Sequence, residues 1–307
     1  MLSDVPTISL AVDRDASSIA DEIRTACLQH GFFQVTDYSH IVPIDLPRRT
    51  LSAAEQFFRL PLAVKSSLFK ADHVAGGYEP YKVMNLDPKN KKGHGHNEGF
   101  SFAALPHPTA WPSEDELPGF KDTMYDYYAC VTELAKHIGR HLAIGLDLAD
   151  NFFDPFFQNQ LAHVKLAHYY RPEGEREEDT NIGVSPHTDW GAITILLQDS
   201  VGGLEVFDQS SDEWIKVMPI PDAFVVNLGD LLARWTNDRY KSTKHRVISP
   251  PIGVHRYSIP FFSQGYPDYM VKVIPSCVAE GEQAKYPPIR AEDYLKTKFE
   301  STYRMIQ

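Results

Sequence analysis

Residues 187–199 read HTDWGAITILLQD. The second half, AITILLQ (192–198), is a short β-branched apolar run of the kind that forms a buried strand. The first half places His187 and Asp189 two positions apart, so on an extended segment both side chains project to the same face. Outward from this stretch the same grammar repeats. From about residue 161, the runs HVKLAHYY, LEVF, WIKVMPI, AFVVNLG, HRVIS, RYSIPFFS and YMVKVIP recur between Gly, Pro, Asp and Asn turns. About eight short, closely spaced strands predict a mainly β unit, a sandwich or barrel with the jelly roll as leading candidate.

Upstream the pattern is mixed. VPTISL (5–10) alternates like a strand, and residues 16–30 put Ile19, Ile23, Ala26 and Cys27 on one helical face before Gly31 stops the helix. FFQV (32–35) predicts a strand, and 49–60 a helix closed by Pro61. Residues 71–98 form a long polar connection, of the sort that often serves as a lid. Residues 119–146 carry Tyr125, Tyr128, Leu134, Ile138 and Leu142 at helical spacing, and residues 289–304 predict a charged closing helix. We read residues 1–100 as an N-terminal, mixed helical extension and 101–307 as a jelly-roll core with supporting helices, together one catalytic unit.

Composition bounds the function. The 307 residues are 43% hydrophobic and 23% charged, a globular balance. Thirty lysines and arginines against 41 acids give a formal charge of −11, which argues against a nucleic-acid partner. Cys27, Cys130 and Cys277 are too far apart for a cysteine metal site and odd in number. The N-terminus lacks the pattern of a secretory signal, and no apolar run is long enough to span a membrane. The expectation is a cytoplasmic monomer acting on a small molecule, with neither membrane nor nucleic acid as partner.

His187 and Asp189 converge on one point, and His245 in STKHRVIS, on another predicted strand, supplies a third ligand. Two histidines and one carboxylate on one face of a metal leave the opposite face open, the pattern of non-haem Fe(II) oxygenases. An HxD alone is short and common. Arg256 and Ser258 in RYSIPFF strengthen the reading, because they too share a strand face and together form a fork and a hydroxyl donor suited to a carboxylate. An anion clamp beside an open iron site implies a dicarboxylate chelator held by its far end.

The ordered words LAHYYRP, SPHTDWGAITILLQD, VGGLEVF, WIKVMPIPDAFVVNLGDLLARWTNDRYKSTKHRVISP and HRYSIPFF resemble the 2-oxoglutarate/Fe(II)-dependent dioxygenases of the isopenicillin N synthase-like group. VPTISL, HGFFQVTDYSH and HNEGF extend the likeness over most of the chain. The resemblance implies a double-stranded β-helix, cupin-like core. It implies Fe(II) on His187, Asp189 and His245, and 2-oxoglutarate on Arg256 and Ser258 with Tyr170 and His168 beside it. O2 is then the oxidant, succinate and CO2 are released, and a small metabolite, such as an amino acid or a secondary-metabolite intermediate, is hydroxylated, desaturated or cyclised. Tyr78, Tyr81, His94, His96 and Trp190 are the expected substrate contacts, while Asn227, Gly229 and Asp230 are expected to buttress the iron face. Two alternatives stay open at this point: an oxidase with the same residues that uses no 2-oxoglutarate, and a non-catalytic jelly-roll binder.

Overall fold

The computed structural model describes residues 5–69, 76–81, 95–103, 109–174 and 181–303. In chain order the first elements are β1 (Thr7–Ser9), α1 (Ala16–Gln29), β2 (Phe32–Thr36), α2 (Leu46–Arg59), α3 (Leu62–Ser67), β3 (Gly77–Glu79), β4 (Asn97–Ala103), α4 (Phe120–Gly145) and α5 (Asp154–Phe157). Then come β5 (Leu161–Tyr169), β6 (Ile182–His187), β7 (Ile193–Gln198), β8 (Leu204–Asp208), β9 (Glu213–Lys216), β10 (Phe224–Leu228) and α6 (Asp230–Trp235). The chain closes with β11 (His245–Ile248), β12 (Arg256–Gly265), β13 (Met270–Val271), β14 (Ile289–Arg290) and α7 (Ala291–Tyr303).

Two sheets make the core. The larger has the order β1-β2-β10-β7-β12-β5-β4-β3 and the smaller β6-β11-β8-β9. The smaller sheet is antiparallel throughout, and in the larger only β1 and β2 run parallel. The sheets face each other, as a jelly roll requires: Phe32, Leu196 and Val225 of the large sheet cluster with Leu204 and Val206 of the small one. The other face of the large sheet is covered by α2 and α4. Along α4, Met124, Tyr127, Val131, Leu134, Ile138 and Leu142 recur at helical spacing and are fully buried. The strands of the large sheet are therefore buried on both faces, and β5 has six buried residues in a row at its C-terminal end.

The sequence reading holds for most elements. Segments 70–75 and 82–94, most of the long polar connection, lie outside the described residues, and so does the expected contact His94. The remainder of that connection is not a loop: Gly77–Glu79 and Asn97–Ala103 add two strands to the large sheet, and β4 runs across residue 100. The expected strand WIKVMPI shortens to β9, because Pro219 and Pro221 remove backbone donors from the ladder.

Candidate active site

Strands β6 and β11 pair so that His245 lies opposite His187. Asp189 follows β6 by two residues, and ligand atoms of all three side chains lie within 4.8 Å of one another. Each histidine Nε2 is 3.7 Å from Asp189 Oδ1. His187 Nδ1 is held at 2.8 Å by the Ser185 carbonyl, and His245 Nδ1 at 3.2 Å by that of Thr243. A carbonyl fixes the N–H on Nδ1, so both Nε2 lone pairs face the common point. The second oxygen of Asp189 is taken: Oδ2 accepts from Thr194 Oγ1 at 2.6 Å and Asn227 Nδ2 at 2.7 Å. Oδ1 is left to complete the triad.

Protonation suits a metal. Burial and the neighbouring His245 push the His187 imidazolium down to about 4. Burial opposes ionising Asp189, but the two imidazoles and its two hydrogen-bond donors outweigh it, holding the carboxyl below the usual range. Neutral imidazoles and an ionised carboxylate are the metal-binding states.

The loop behind the triad has no space to spare. Asp230 N donates to the Asp189 carbonyl at 2.8 Å, and a Cβ on Gly229 would stand 2.2 Å from the Gly191 carbonyl oxygen and 3.0 Å from that of Asp189. Asn227, Gly229 and Asp230 thus buttress the triad. Gly229→Ala displaces Asp189 without removing a ligand, and the expected loss of Fe(II) affinity is about 10–100-fold, the effect typical of a lost outer partner. A metal titration followed by activity measures it.

Arg256 and Ser258 lie on the inner face of β12, between the sheets. Arg256 is 1% exposed. Its guanidinium donates to Ser258 Oγ and Gln198 Oε1, each at 3.3 Å, and lies 4.8 Å above the Tyr169 ring. Its Nε has no hydrogen-bond partner, and no carboxylate forms an ion pair with it among the described residues. A buried cation without an anion is costly. The residues present therefore fit a ligand that brings a carboxylate.

The structure places two expected co-substrate contacts, His168 and Tyr170, on the face away from the clamp. In the β5–β12 register, Arg256 is opposite Tyr169 and Ser258 opposite Ala167, whereas His168 is opposite Tyr257. Side chains alternate across a strand, so Tyr169 shares the face of the clamp, and His168 and Tyr170 point to the other side. Tyr169 packs with Ala167 and Val247 between the sheets, where a Cβ on Gly183 would touch its ring at 2.8 Å. His168 is instead stacked between Tyr257 and Tyr170, with centroids 4.7 and 4.8 Å away. Its Nδ1 meets Glu98 at 2.8 Å and its Nε2 meets His255 Nδ1 at 2.8 Å. Glu98 also accepts from Lys65 at 2.8 Å and from the Tyr78 hydroxyl.

That network also includes Tyr78. It is 2% exposed, opposite Phe100 on the helix-covered face, and its hydroxyl is committed to Glu98 rather than to a substrate. Tyr81 is half-buried, donates to the Tyr170 carbonyl at 3.0 Å and packs on the Tyr170 ring. His96 is buried against Ser249, and Trp190 is half-buried directly after Asp189. Arg234 donates to the Pro287 carbonyl, and Trp235 packs into a cluster of Phe153, Phe156 and Tyr269.

Comparison with known proteins agrees with this geometry. Residues 161–265 match the 2OG-Fe(II) oxygenase superfamily, and residues 5–117 match the N-terminal region described as non-haem dioxygenase in morphine synthesis. A 2-oxoglutarate-Fe(II) type oxidoreductase of Emericella nidulans is 39% identical over 302 residues, covering 94% of this chain and 85% of that one. The chain belongs to the 2OG-Fe(II) oxygenase superfamily. Among solved structures, this oxygenase is similar to a full-length Neurospora crassa protein in complex with alpha-KG and thymine. That match has a TM-score of 0.85 and 30% identity, covering 97% of both chains. A Caulobacter crescentus protein titled a putative 2OG-Fe(II) oxygenase gives a TM-score of 0.86 at 28% identity, over 98% of this chain and 100% of that one. The oxygenase has a jelly-roll core and a His-Asp-His triad, and its family uses Fe(II), 2-oxoglutarate and O2. Among its described residues, no helix is long and apolar enough to cross a membrane.

Proposed function

We propose that His187, Asp189 and His245 hold Fe(II), and that Arg256 and Ser258 anchor the distal carboxylate of 2-oxoglutarate with the Tyr169 ring against the guanidinium. The observation that carries this reading is a buried arginine with no carboxylate in ion-pair contact among the described residues, on the inner face of the sheet that packs over the triad. Iron and 2-oxoglutarate together activate O2 to oxidise a bound substrate, with succinate and CO2 released. The chain's own residues do the positioning. Ser185 and Thr243 carbonyls aim the imidazoles, Thr194 and Asn227 fix which carboxylate oxygen faces the metal, and the two sheets keep water from the clamp.

The substrate is a small organic metabolite, an amino acid or a secondary-metabolite intermediate. Support comes from the thymine bound by the Neurospora crassa protein and from a Citrus sinensis relative named kihadalactone A synthase, 29% identical over 317 residues. Trp190, which directly follows Asp189, and Tyr81, both half-buried, are the substrate contacts we assign. Tyr78, committed to Glu98, is not among them.

The test is anaerobic addition of 2-oxoglutarate to the Fe(II)-loaded protein, followed through the visible band of the chelate. Arg256→Ala removes a binding group and no metal ligand. The expected result is a band that requires more 2-oxoglutarate, with the KM for it raised about 10–150-fold, the worth of a charge-assisted hydrogen bond at about 1.5–3 kcal/mol. High 2-oxoglutarate then restores turnover. Iron bound with no band in the parent protein would assign an oxidase that works on its substrate alone.

A further inference from the structure

Three histidines gather on the helical side of the molecule, away from the triad. His137 and His141 stand one turn apart on α4, and His40 comes from the segment between β2 and α2. The two α4 imidazoles point their Nε2 atoms at each other across 3.3 Å, and the His40 ring lies 5.5 Å from that of His137, edge to face. No carboxylate pairs with any of the three among the described residues.

We propose that His137 and His141 form a second transition-metal site, for Zn2+, with the exposed His40 turning in as a third ligand and water completing the shell. Zn–N bonds of about 2.0–2.1 Å in a tetrahedral shell put two ligand nitrogens about 3.3–3.4 Å apart, the spacing these two imidazoles already have. An all-imidazole donor set favours Zn2+ over Mg2+ or Ca2+, which take oxygen ligands.

A plain imidazole–imidazole hydrogen bond has the same spacing, and the Zn2+ count given below distinguishes the two. His141 is 6% exposed, and its Nδ1 is turned toward the Ala16 backbone carbonyl, outside ideal hydrogen-bond geometry. Metal on Nε2 fixes the proton on Nδ1, polarises it and turns it to that carbonyl, the second contact that metal-bound histidines usually make. Burial, with His141, His40 and Arg140 nearby, pushes the His137 imidazolium down to about 4. The His137 ring is thus neutral at neutral pH, the form that binds a metal. The site fastens the segment after β2 to α4, so its role is to brace the N-terminal layer.

Equilibrium dialysis of the chelator-stripped full-length protein against Zn2+ alone tests it. Two Zn2+ per chain are expected, one on the triad and one on the cluster, with one in His137→Gln. His40→Asn, an exposed change, keeps two but weakens one. His137→Gln retains its Fe(II)- and 2-oxoglutarate-dependent turnover, which verifies its fold. A single Zn2+ in the parent chain, or two in His137→Gln, overturns the proposal.

Discussion

Asp189→Asn abolishes turnover while the fold persists. The argument rests on which oxygen is already engaged. Oδ2 accepts from both Thr194 and Asn227, so an asparagine must present its carbonyl oxygen to those two donors. Its amide group then faces His187 and His245, with N–H bonds pointing at the metal position. The substitution thus removes a negative ligand and inserts a donor. The loss of Fe(II) affinity should exceed the roughly 10–100-fold cost of losing an outer partner, and no excess of 2-oxoglutarate restores activity. Iron content after gel filtration and succinate release measure the two effects. Iron retained at parent stoichiometry would remove Asp189 from the ligand set.

The triad was legible because its information is local. His187 and Asp189 are two residues apart on an extended chain, and Arg256 and Ser258 repeat that spacing, so each pair shares a face whatever the neighbouring strands do. The pairing of His245 with His187 needed the structure, since register between strands so far apart in sequence follows from the whole sheet. The facing of LAHYYRP is hidden in the sequence for a definable reason. A strand exposed on one side announces its parity by alternating polar and apolar residues, but Val164 to Tyr169 is buried on both faces. Nothing in that run says which side Tyr169 takes. The resemblance implies Tyr170 beside the co-substrate, whereas the pairing with Arg256 puts Tyr169 on the face of the clamp. Glu98 went unnoticed because its partners, Lys65, Tyr78 and His168, come from three separate elements. A short sequence window cannot show such a convergence. The strands at 77–79 and 97–103 were hidden for a related reason: they lie within or next to a polar stretch, and β4 becomes recognisable only by pairing with β5.

Glu98→Ala destabilises the fold by about 3–5 kcal/mol, the cost of leaving a buried charge without its partner. Lys65 is 7% exposed, and among the described residues its ammonium donates to the Phe58 carbonyl and to Glu98. Burial opposes ionising Glu98, but His168, Lys65 and Tyr78 together hold its carboxyl below the usual carboxylate range. The sign of the pH dependence follows. A depressed folded-state pKa stabilises the protein above the unfolded value of about 4.3, and that contribution drains away as pH falls through the folded value. Urea unfolding of parent and variant should differ most near neutrality and converge in acid. The double change Lys65→Met with Glu98→Leu removes both charges and recovers most of the loss. His168→Asn separates this bracing role from co-substrate contact. It retains an N–H donor toward Glu98, and because His168 faces away from Arg256, the 2-oxoglutarate requirement stays at the parent value. A raised requirement in a folded His168→Asn protein would return His168 to the co-substrate's side of the sheet.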